Sequence, residues 1–365
     1  MLFFPSLARL RQTPCPAGGW PEVLGFTAAL TASLLLATPA SAQSAPPPIF
    51  DMHLHALHAD GMGPPPLGLC VPVGTSPAWD QRVPFPIWMM GQYRNPDCED
   101  PVWTSGTDGE LLAQTLEILE RRNVFGLLSG RPELLPTWLA AAPDRLTASL
   151  WITVQADGAL APGIEEAREA FTNGPFRAMG EILTQYAGIL PTDDRLAPYW
   201  ALAEELDLPV GIHVGSGPPG AAYAGSPRNR AGMGSPLTME EVLLRHPNLR
   251  VYLMHGGWPF LDDLIALMYA HPQVHVDVGA IAVGLPRAEF HGWLERIVGM
   301  GFHTRILFGS DQMQLPSGID LTIEAIENAP FLTEGQKRDI FYHNAARFLR
   351  LGEEEIARHY RGGRE

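Results

Sequence analysis

Two histidines at the end of an apolar run have a spacing that suits chemistry. In the stretch IFDMHLHA, residues 49–56, His53 and His55 are two positions apart. Side chains on a β-strand alternate between its two faces, so both imidazoles point the same way. Two neutral imidazoles on one face are natural metal ligands, and the alternative is a pair of core histidines bonded to backbone groups.

Three further polar residues interrupt apolar runs at their carboxyl ends. They are His213 in PVGIHVG, His255 in YLMHGG and Asp311 in LFGSD. A buried carboxylate at such a point needs a positive partner, and a divalent cation supplies one. The pattern therefore predicts a metal site assembled from the ends of several strands.

Short apolar runs alternate with helix-like stretches along most of the chain. Together with residues 49–56, the predicted strands are 124–130, 146–154, 176–182, 209–215, 250–257, 274–280 and 305–311. Strands that alternate with helices favour a parallel sheet. Eight such units predict an α/β fold, a (β/α)₈ TIM barrel whose functional groups gather at the carboxyl ends of the strands. An open doubly wound sheet competes, but no GxGxxG follows the first strand.

The barrel is expected to span residues 49–351, with one long insertion and a short tail. Residues 57–108, after the first strand, are rich in Pro, Gly, Trp and Met. Long connections of this kind are typical of lids and binding loops, so we expect a lid-like insertion that selects the substrate. Residues 352–365 are expected to be a solvated C-terminal tail.

The N-terminus has the pattern of a secretory signal peptide. Arg9 and Arg11 precede an apolar run that ends in Ala40-Ser41-Ala42. This pattern predicts a signal over residues 1–42, cleavage after Ala42, a linker over 43–48 and a periplasmic protein without a stable membrane anchor. A transmembrane anchor is the alternative. In an oxidising compartment Cys70 and Cys98 either form a disulfide or remain two thiols.

The composition narrows the class of partner. The chain has 365 residues, 46% of them hydrophobic, and a formal net charge of −15. The sequence has no Lys/Arg cluster that could bind a phosphate backbone, and its net charge is negative, so nucleic acid is not an expected partner. We expect a small-molecule substrate, and the sequence leaves the oligomeric state open, a homo-oligomer included.

The ordered set DxHxH, His, His and Asp on strands one, five, six and eight resembles the amidohydrolase superfamily. The closing NAARFL is similar to the amidohydrolase-related branch, which includes aminocarboxymuconate-semialdehyde decarboxylase and several lactone hydrolases. The resemblance covers residues 49–351. It implies a TIM barrel and a metal-dependent enzyme.

The resemblance also implies roles for individual residues. The metal ligands would be His53, His55, His213 and Asp311. Asp311 would in addition take a proton from the metal-bound water. His255 would polarise the substrate carbonyl or bind a second metal.

Glu181, in AMGEI on the fourth strand, takes the position where two-metal relatives carry a bridging ligand. The alternative, which we favour, is a carboxylate that orients a ligating histidine. One divalent cation is therefore expected, with zinc favoured, manganese or iron compatible, and a second metal left open.

Three residues are candidates for binding substrate. Arg228 and Arg230, in the loop after the fifth strand, have the fork geometry to grip a carboxylate, although solvent exposure is the simpler interpretation. Trp258 is a candidate lining residue of an apolar pocket, with packing against the barrel as the alternative.

The leading functional hypothesis is a metal-dependent hydrolase that activates a metal-bound water to attack a lactone, ester or amide carbonyl. The alternative enzyme is a metal-dependent decarboxylase of an aromatic or unsaturated carboxylic acid. A non-catalytic metal- or ligand-binding barrel is a further hypothesis. A nuclease, suggested by GEI on the fourth strand, is disfavoured by the acidic balance.

Overall fold

The computed structural model describes residues 45–363. A short strand, Leu160–Ala161, joins the central sheet in antiparallel pairing, and the other eight strands of that sheet are parallel. We number them β1 to β8 in chain order: Ile49–Ala56, Val124–Gly130, Leu146–Val154, Phe176–Ile182, Pro209–His213, Arg250–Met254, His275–Asp277 and Ile306–Leu307. Each strand pairs in parallel with the next. This order confirms the predicted parallel sheet.

Backbone hydrogen bonds between the two ends of the sheet nearly close it into a barrel. The N–H of Met52 donates to the Phe308 carbonyl at 2.9 Å, and the N–H of Asp311 donates to the His53 carbonyl at 2.9 Å. Helices follow the strands along the chain. The architecture is therefore the predicted TIM barrel and not an open sheet.

Near-continuous apolar sequence explains why the strands form the centre of the molecule. Every residue of β1 and β2 is buried, as expected for parallel strands that are covered on both faces. The ladders of β6, β7 and β8 are shorter than predicted. After each of these strands the backbone leaves the extended conformation, with positive φ at His255, Ala280 and Asp311. As a result, His255 and Asp311 lie just beyond the strand ends.

The described chain contains thirteen α-helices, α1 to α13. They span Phe85–Arg94, Asp108–Arg121, Leu135–Ala141, Ile164–Asn173, Ala197–Glu205, Glu240–Arg245, Leu261–Ala270, Ile281–Gly284, Arg287–Gly299, Gly318–Glu327, Glu334–Arg338, Asn344–Leu349 and Glu353–Tyr360. A π-helical turn, Asp339–His343, joins α11 to α12. The main hydrophobic core combines strand residues with the apolar faces of these helices.

The insertion over residues 57–108 has more structure than a long loop. It contains α1 and a short antiparallel pair, Gly68–Leu69 with Val102–Trp103. A disulfide joins Cys70 to Cys98, so of the two states left open the structure has the bonded one. The insertion packs on the loop after β5: the ring of Phe85, in the insertion, lies 5.9 Å from the ring of Tyr223, in that loop.

The expectation of a solvated C-terminal tail is wrong. Residues 353–360 form the amphipathic helix α13, and His359 on its inner face is only 2% exposed. The His359 ring stacks on Phe125 of β2 with a centroid distance of 3.9 Å. The spacing of its apolar and charged residues allows one face to pack and the other to stay solvated.

The predicted signal peptide, residues 1–42, lies outside the described residues, as do positions 43, 44, 364 and 365. Within residues 45–363, no helix has the length and apolar character needed to span a membrane.

Candidate metal centre

His53 and His55 lie side by side at the carboxyl end of β1, with ring centroids 4.9 Å apart. Residues of β7 and β2 hold the Nδ1 atoms of the two rings. His53 Nδ1 is 2.9 Å from Asp277 Oδ2, and His55 Nδ1 is 3.1 Å from Ser129 Oγ. His53 Nε2 is buried without a hydrogen-bond partner. Because an unpaired buried nitrogen is costly, this atom fits a metal ligand.

Two carboxylates face these Nε2 atoms. Asp311 Oδ1 lies 3.2 Å from His55 Nε2 and 3.7 Å from His53 Nε2. Glu181 Oε2 lies 3.6 Å and 3.9 Å from the same two nitrogens. Donor atoms bonded to a tetrahedral cation at about 2.0–2.2 Å are about 3.4 Å from one another. The nitrogen–oxygen spacings therefore suit a shared divalent cation, with Glu181 positioned to contribute to it directly.

His213 and His255 join the cluster through the other oxygen of Glu181. His213 Nδ1 is 2.7 Å from Glu181 Oε1, and His255 Nε2 is 3.6 Å from that oxygen. His213 Nε2 meets the Tyr186 hydroxyl at 3.0 Å, so protein atoms engage both its ring nitrogens. His255 forms a compact ligand group with His53 and Glu181. The ligand role of His213 stays a prediction, and a second cation at His255 is compatible with the geometry.

Three buried carboxylates dominate the electrostatics of the site. Burial lowers the pKa of His53, but the charges of Asp311 and Asp277 outweigh burial and raise that pKa to about 10. Burial raises the pKa of Asp311 and Glu181, yet the surrounding histidines hold both pKa values well below their usual range. Asp311 and Glu181 are therefore ionised at neutral pH, and the cluster favours a bound positive charge.

Asp277, the last residue of β7, belongs to the site but was not predicted from the sequence. It is fully buried. Its Oδ2 contacts His53, and its Oδ1 accepts the backbone N–H of His255 at 2.8 Å and of Gly279 at 3.0 Å. The available signal was a charged residue inside the apolar run VHVDVGA, the same kind of interruption that marks Asp311.

Asp51 and Gln312 fix the backbone of the two β1 histidines. Asp51 Oδ1 accepts the N–H of His53 at 2.9 Å and of Ser310 at 3.0 Å. The Gln312 side chain accepts from the His55 N–H and donates to the His55 carbonyl. These bonds tie β1 to the loop that carries Asp311, and burial raises the pKa of Asp51 to about 7.

Left-handed backbone conformations gather at the same end of the barrel. His255, Ala280, Asp311 and Met313 have φ values of 59°, 58°, 50° and 42°. Such values are uncommon outside glycine, persist only where surrounding contacts enforce them, and cluster at functional sites. The loops after β6, β7 and β8 are therefore shaped to present side chains.

The three candidate substrate-binding residues lie outside this cluster of contacts. Arg228 is exposed, and exposed Arg230 donates to the backbone carbonyls of Pro227 and Asn229. The indole N–H of Trp258 donates to Glu289 at 3.0 Å, and its ring packs on the main core. Their substrate roles stay predictions.

Comparison with known proteins identifies the relatives of this chain. The sequence model of a family described as amidohydrolase matches residues 50–351. No protein in a search of curated sequences matches the chain significantly.

Solved structures share the fold at low sequence identity. An uncharacterized TIM-barrel protein from Bordetella bronchiseptica is 18% identical with a TM-score of 0.54, over 85% of this chain and 99% of that one. A probable 2-pyrone-4,6-dicarboxylic acid hydrolase from Acinetobacter baumannii is 13% identical with a TM-score of 0.52, over 83% and 99%. A 4-oxalomesaconate hydratase from Rhodopseudomonas palustris is 17% identical with a TM-score of 0.50, over 83% and 95%. These likenesses show the fold.

Proposed function

Because this chain belongs to the amidohydrolase family, we propose that it is a metal-dependent hydrolase of a lactone, ester or amide carbonyl in a small molecule. The observation that carries the proposal is the buried, unpaired Nε2 of His53 beside the carboxylates of Asp311 and Glu181. This donor set suits zinc, manganese or iron, and we propose zinc.

The residues that would hold the cation are His53, His55, Asp311 and Glu181, with His213 as a further predicted ligand. When bound, a divalent cation supplies a Lewis acid for a carbonyl oxygen and lowers the pKa of water toward 7. The bonds from Asp277 and Ser129 to the Nδ1 atoms keep both β1 rings oriented with Nε2 toward it.

Asp311 is suited to move the proton of the attacking water. The histidines around it hold its pKa low, so its carboxylate is ionised and able to accept a proton at neutral pH. Asp311 is only 9% exposed, which limits access of bulk water. His255 Nδ1 bonds to the Gly279 carbonyl at 3.0 Å, and its Nε2 lies in the cluster, 2.9 Å from His213 Nδ1. Burial lowers the pKa of His255, but the bond to Glu181 outweighs it and raises that pKa, which favours the protonated ring whose Nε2–H can polarise a substrate carbonyl.

Decarboxylation of an aromatic or unsaturated carboxylic acid is compatible with the same residues, because a cation in this cluster would equally bind a carboxylate. The two reactions differ in their products. Release of carbon dioxide without water consumption would identify the decarboxylase, and acid release from an ester, lactone or amide would identify the hydrolase.

A panel of p-nitrophenyl esters, γ-lactones and anilides, assayed with zinc- and manganese-loaded protein, tests the proposal. Wild type should hydrolyse at least one class, and Asp311→Asn should lose about 100- to 10,000-fold in kcat/KM, the usual contribution of general acid–base catalysis. Absence of hydrolysis by fully loaded protein, or full activity in Asp311→Asn, would reject it.

We also propose that the chain is exported and acts in the periplasm on a small molecule. The Cys70–Cys98 disulfide supports this location, because such bonds persist in oxidising compartments. Expression in a bacterium with a periplasm, followed by mass determination of the periplasmic fraction, should yield a chain that begins at Gln43.

A further inference from the structure

We propose that a pocket beside Asp311 receives an uncharged, apolar group of the substrate, about as large as a benzene ring or a short alkyl chain. This inference rests on the proposed function, because it places the reacting bond at Asp311. The pocket, called the side pocket below, has a volume of about 140 Å³, and its apolar walls include Met62, Leu69, Val71, Val283 and Leu315.

The side pocket is continuous with the metal centre. Asp311 and Gln312 line it, and Gln312 is the residue that bonds both backbone groups of His55. Ala280 also lines it, one residue after Gly279, whose carbonyl bonds to the His255 ring. A substrate with its carbonyl at the cluster would therefore extend a neighbouring group into the side pocket.

The lining selects against charge. Among the described residues that line the side pocket, none is basic, and the polar ones other than Asp311 are Thr104, Gln312 and Gln314. A carboxylate on the substrate would meet no positive partner there and would lie near Asp311, which carries a negative charge. An apolar cavity of about 150 Å³ in another protein binds benzene, which sets the size of group that fits here.

Covalent and hydrogen bonds hold the part of the insertion that forms the wall. Cys70, between Leu69 and Val71 of the wall, is bonded to Cys98. Leu69 pairs with Val102 in the antiparallel ladder. The N–H of Val73 donates to the carbonyl of Gly284, another lining residue, at 3.4 Å and so connects the insertion to the loop after β7. A wall held in this way would favour one length of substrate group over others.

Two glycines offer a matched test. A Cβ added at Gly284 meets no atom within 4 Å, and Gly284 lines the side pocket. A Cβ added at Gly292, on the exposed side of α9, also meets none. Gly284→Leu should therefore fill the pocket, while Gly292→Leu adds the same side chain away from it.

The kinetic test compares kcat/KM for p-nitrophenyl acetate, butyrate and hexanoate in both variants and in wild type. Wild type and Gly292→Leu should gain about fourfold per methylene until the pocket is full, the ratio expected from burying one methylene. Gly284→Leu should lose this dependence on length, and Leu69→Ala should move the optimum to a longer chain. A length dependence that is absent in wild type, or unchanged in Gly284→Leu, would overturn the inference.

A binding test separates this inference from the proposed hydrolase activity. Saturation-transfer NMR with toluene should show binding to wild type and Gly292→Leu, and loss of binding in Gly284→Leu. If no ester is hydrolysed but toluene binding follows this pattern, the hydrolase proposal fails and the apolar pocket stands. If toluene binds equally to all three proteins or to none, the pocket inference fails whatever the activity.

Discussion

The His53 ring shows how one residue outside the ligand set controls a ligand. Asp277 uses Oδ1 for two backbone N–H groups, so only Oδ2 is left to accept the proton on His53 Nδ1. In the neutral ring, that bond keeps the proton on Nδ1 and leaves Nε2, the atom that faces the carboxylates, able to bind a metal. The tautomer needed for metal binding is thus set from the end of β7.

Replacing Asp277 with asparagine should therefore weaken metal binding more than it weakens the fold. The backbone N–H groups of His255 and Gly279 would still donate to the side-chain oxygen of the asparagine. Its NH₂ group would then face His53 Nδ1, and because two donors cannot bond to each other, the tautomer protonated at Nε2 would be favoured. We expect zinc affinity to fall about 10- to 100-fold or more, measured by competition with a chelator. The exposed Asp194→Asn change is the control, and equal affinities in the two variants would contradict this role.

Gly279 is required at its position because the chain passes too close to the His53 ring for any side chain. A Cβ there would lie 2.7 Å from His53 Nδ1 and 3.2 Å from the Cβ of Asp311. Gly279→Ala should displace the ring from Asp277 and reduce metal content in purified protein. Gly292→Ala, where a Cβ meets nothing, should keep wild-type metal content. A fully loaded Gly279→Ala protein would show that this contact is unimportant.

The residue types at strand ends were sufficient to predict most of the cluster. His53, His55 and His213 lie within the predicted strands, His255 and Asp311 lie beyond the observed ends of β6 and β8, and the structure brings all five together. The orientation of each histidine ring could not be predicted from the sequence, because it depends on partners such as Asp277, which is 224 positions from His53 along the chain.

At the scale of elements, the shortest strands depend on side-chain support. β8 has only two ladder residues, and Asn344 at the start of α12 donates its amide to the carbonyls of Ile306 and His303. Asn344 is fully buried, so it joins the closing helix to the strand that precedes Asp311. Asn344, the first residue of the NAARFL stretch, thus stabilises the attachment of α12 to β8.

Asn344→Ala should leave two carbonyls without this donor and destabilise the protein by about 1–3 kcal/mol, the cost of an unsatisfied buried polar group. Urea unfolding followed by tryptophan fluorescence measures the change. Asn328→Ala, at an exposed position after α10, provides the comparison. Equal unfolding midpoints for the two variants would show that Asn344 does not stabilise β8.

Sequence reasoning at this scale was accurate for long elements and poor for short ones. The bounds of β1 to β4 agree with prediction because continuous apolar runs specify buried strands. The ends of β6 to β8 differ because the turns at His255, Ala280 and Asp311 come from tertiary contacts and not from local propensity.

For the whole molecule, the C-terminal helix closes the barrel with a buried histidine. Burial lowers the pKa of His359 to about 4, and the Tyr342 hydroxyl contacts its Nδ1 at 2.8 Å. In the unfolded chain this group takes up a proton near its ordinary value of 6.5. Between pH 4 and pH 6.5 the unfolded chain therefore binds more protons at His359 than the folded protein does. The stability that neutral His359 contributes is lost as pH falls from about 6.5 toward 4.

The free energy of unfolding should therefore drop between pH 7 and pH 5, and His359→Gln should show a smaller drop. The expected difference is about 1–2 kcal/mol, since each unit of pKa difference is worth about 1.4 kcal/mol. Urea titrations at the two pH values measure it. The same drop in both proteins would mean that His359 does not govern the acid response.

The most direct test of the metal centre is elemental analysis of purified protein, wild type beside His53→Ala/His55→Ala, with His303→Ala/His343→Ala as the control pair. We predict about one equivalent of zinc or manganese in wild type and control, as expected for a single site of this ligand type, and loss of the metal in the β1 double variant. Close to two equivalents would assign a second site to Glu181 and His255. No bound metal in any of these proteins, even after metal is added back, would contradict the account.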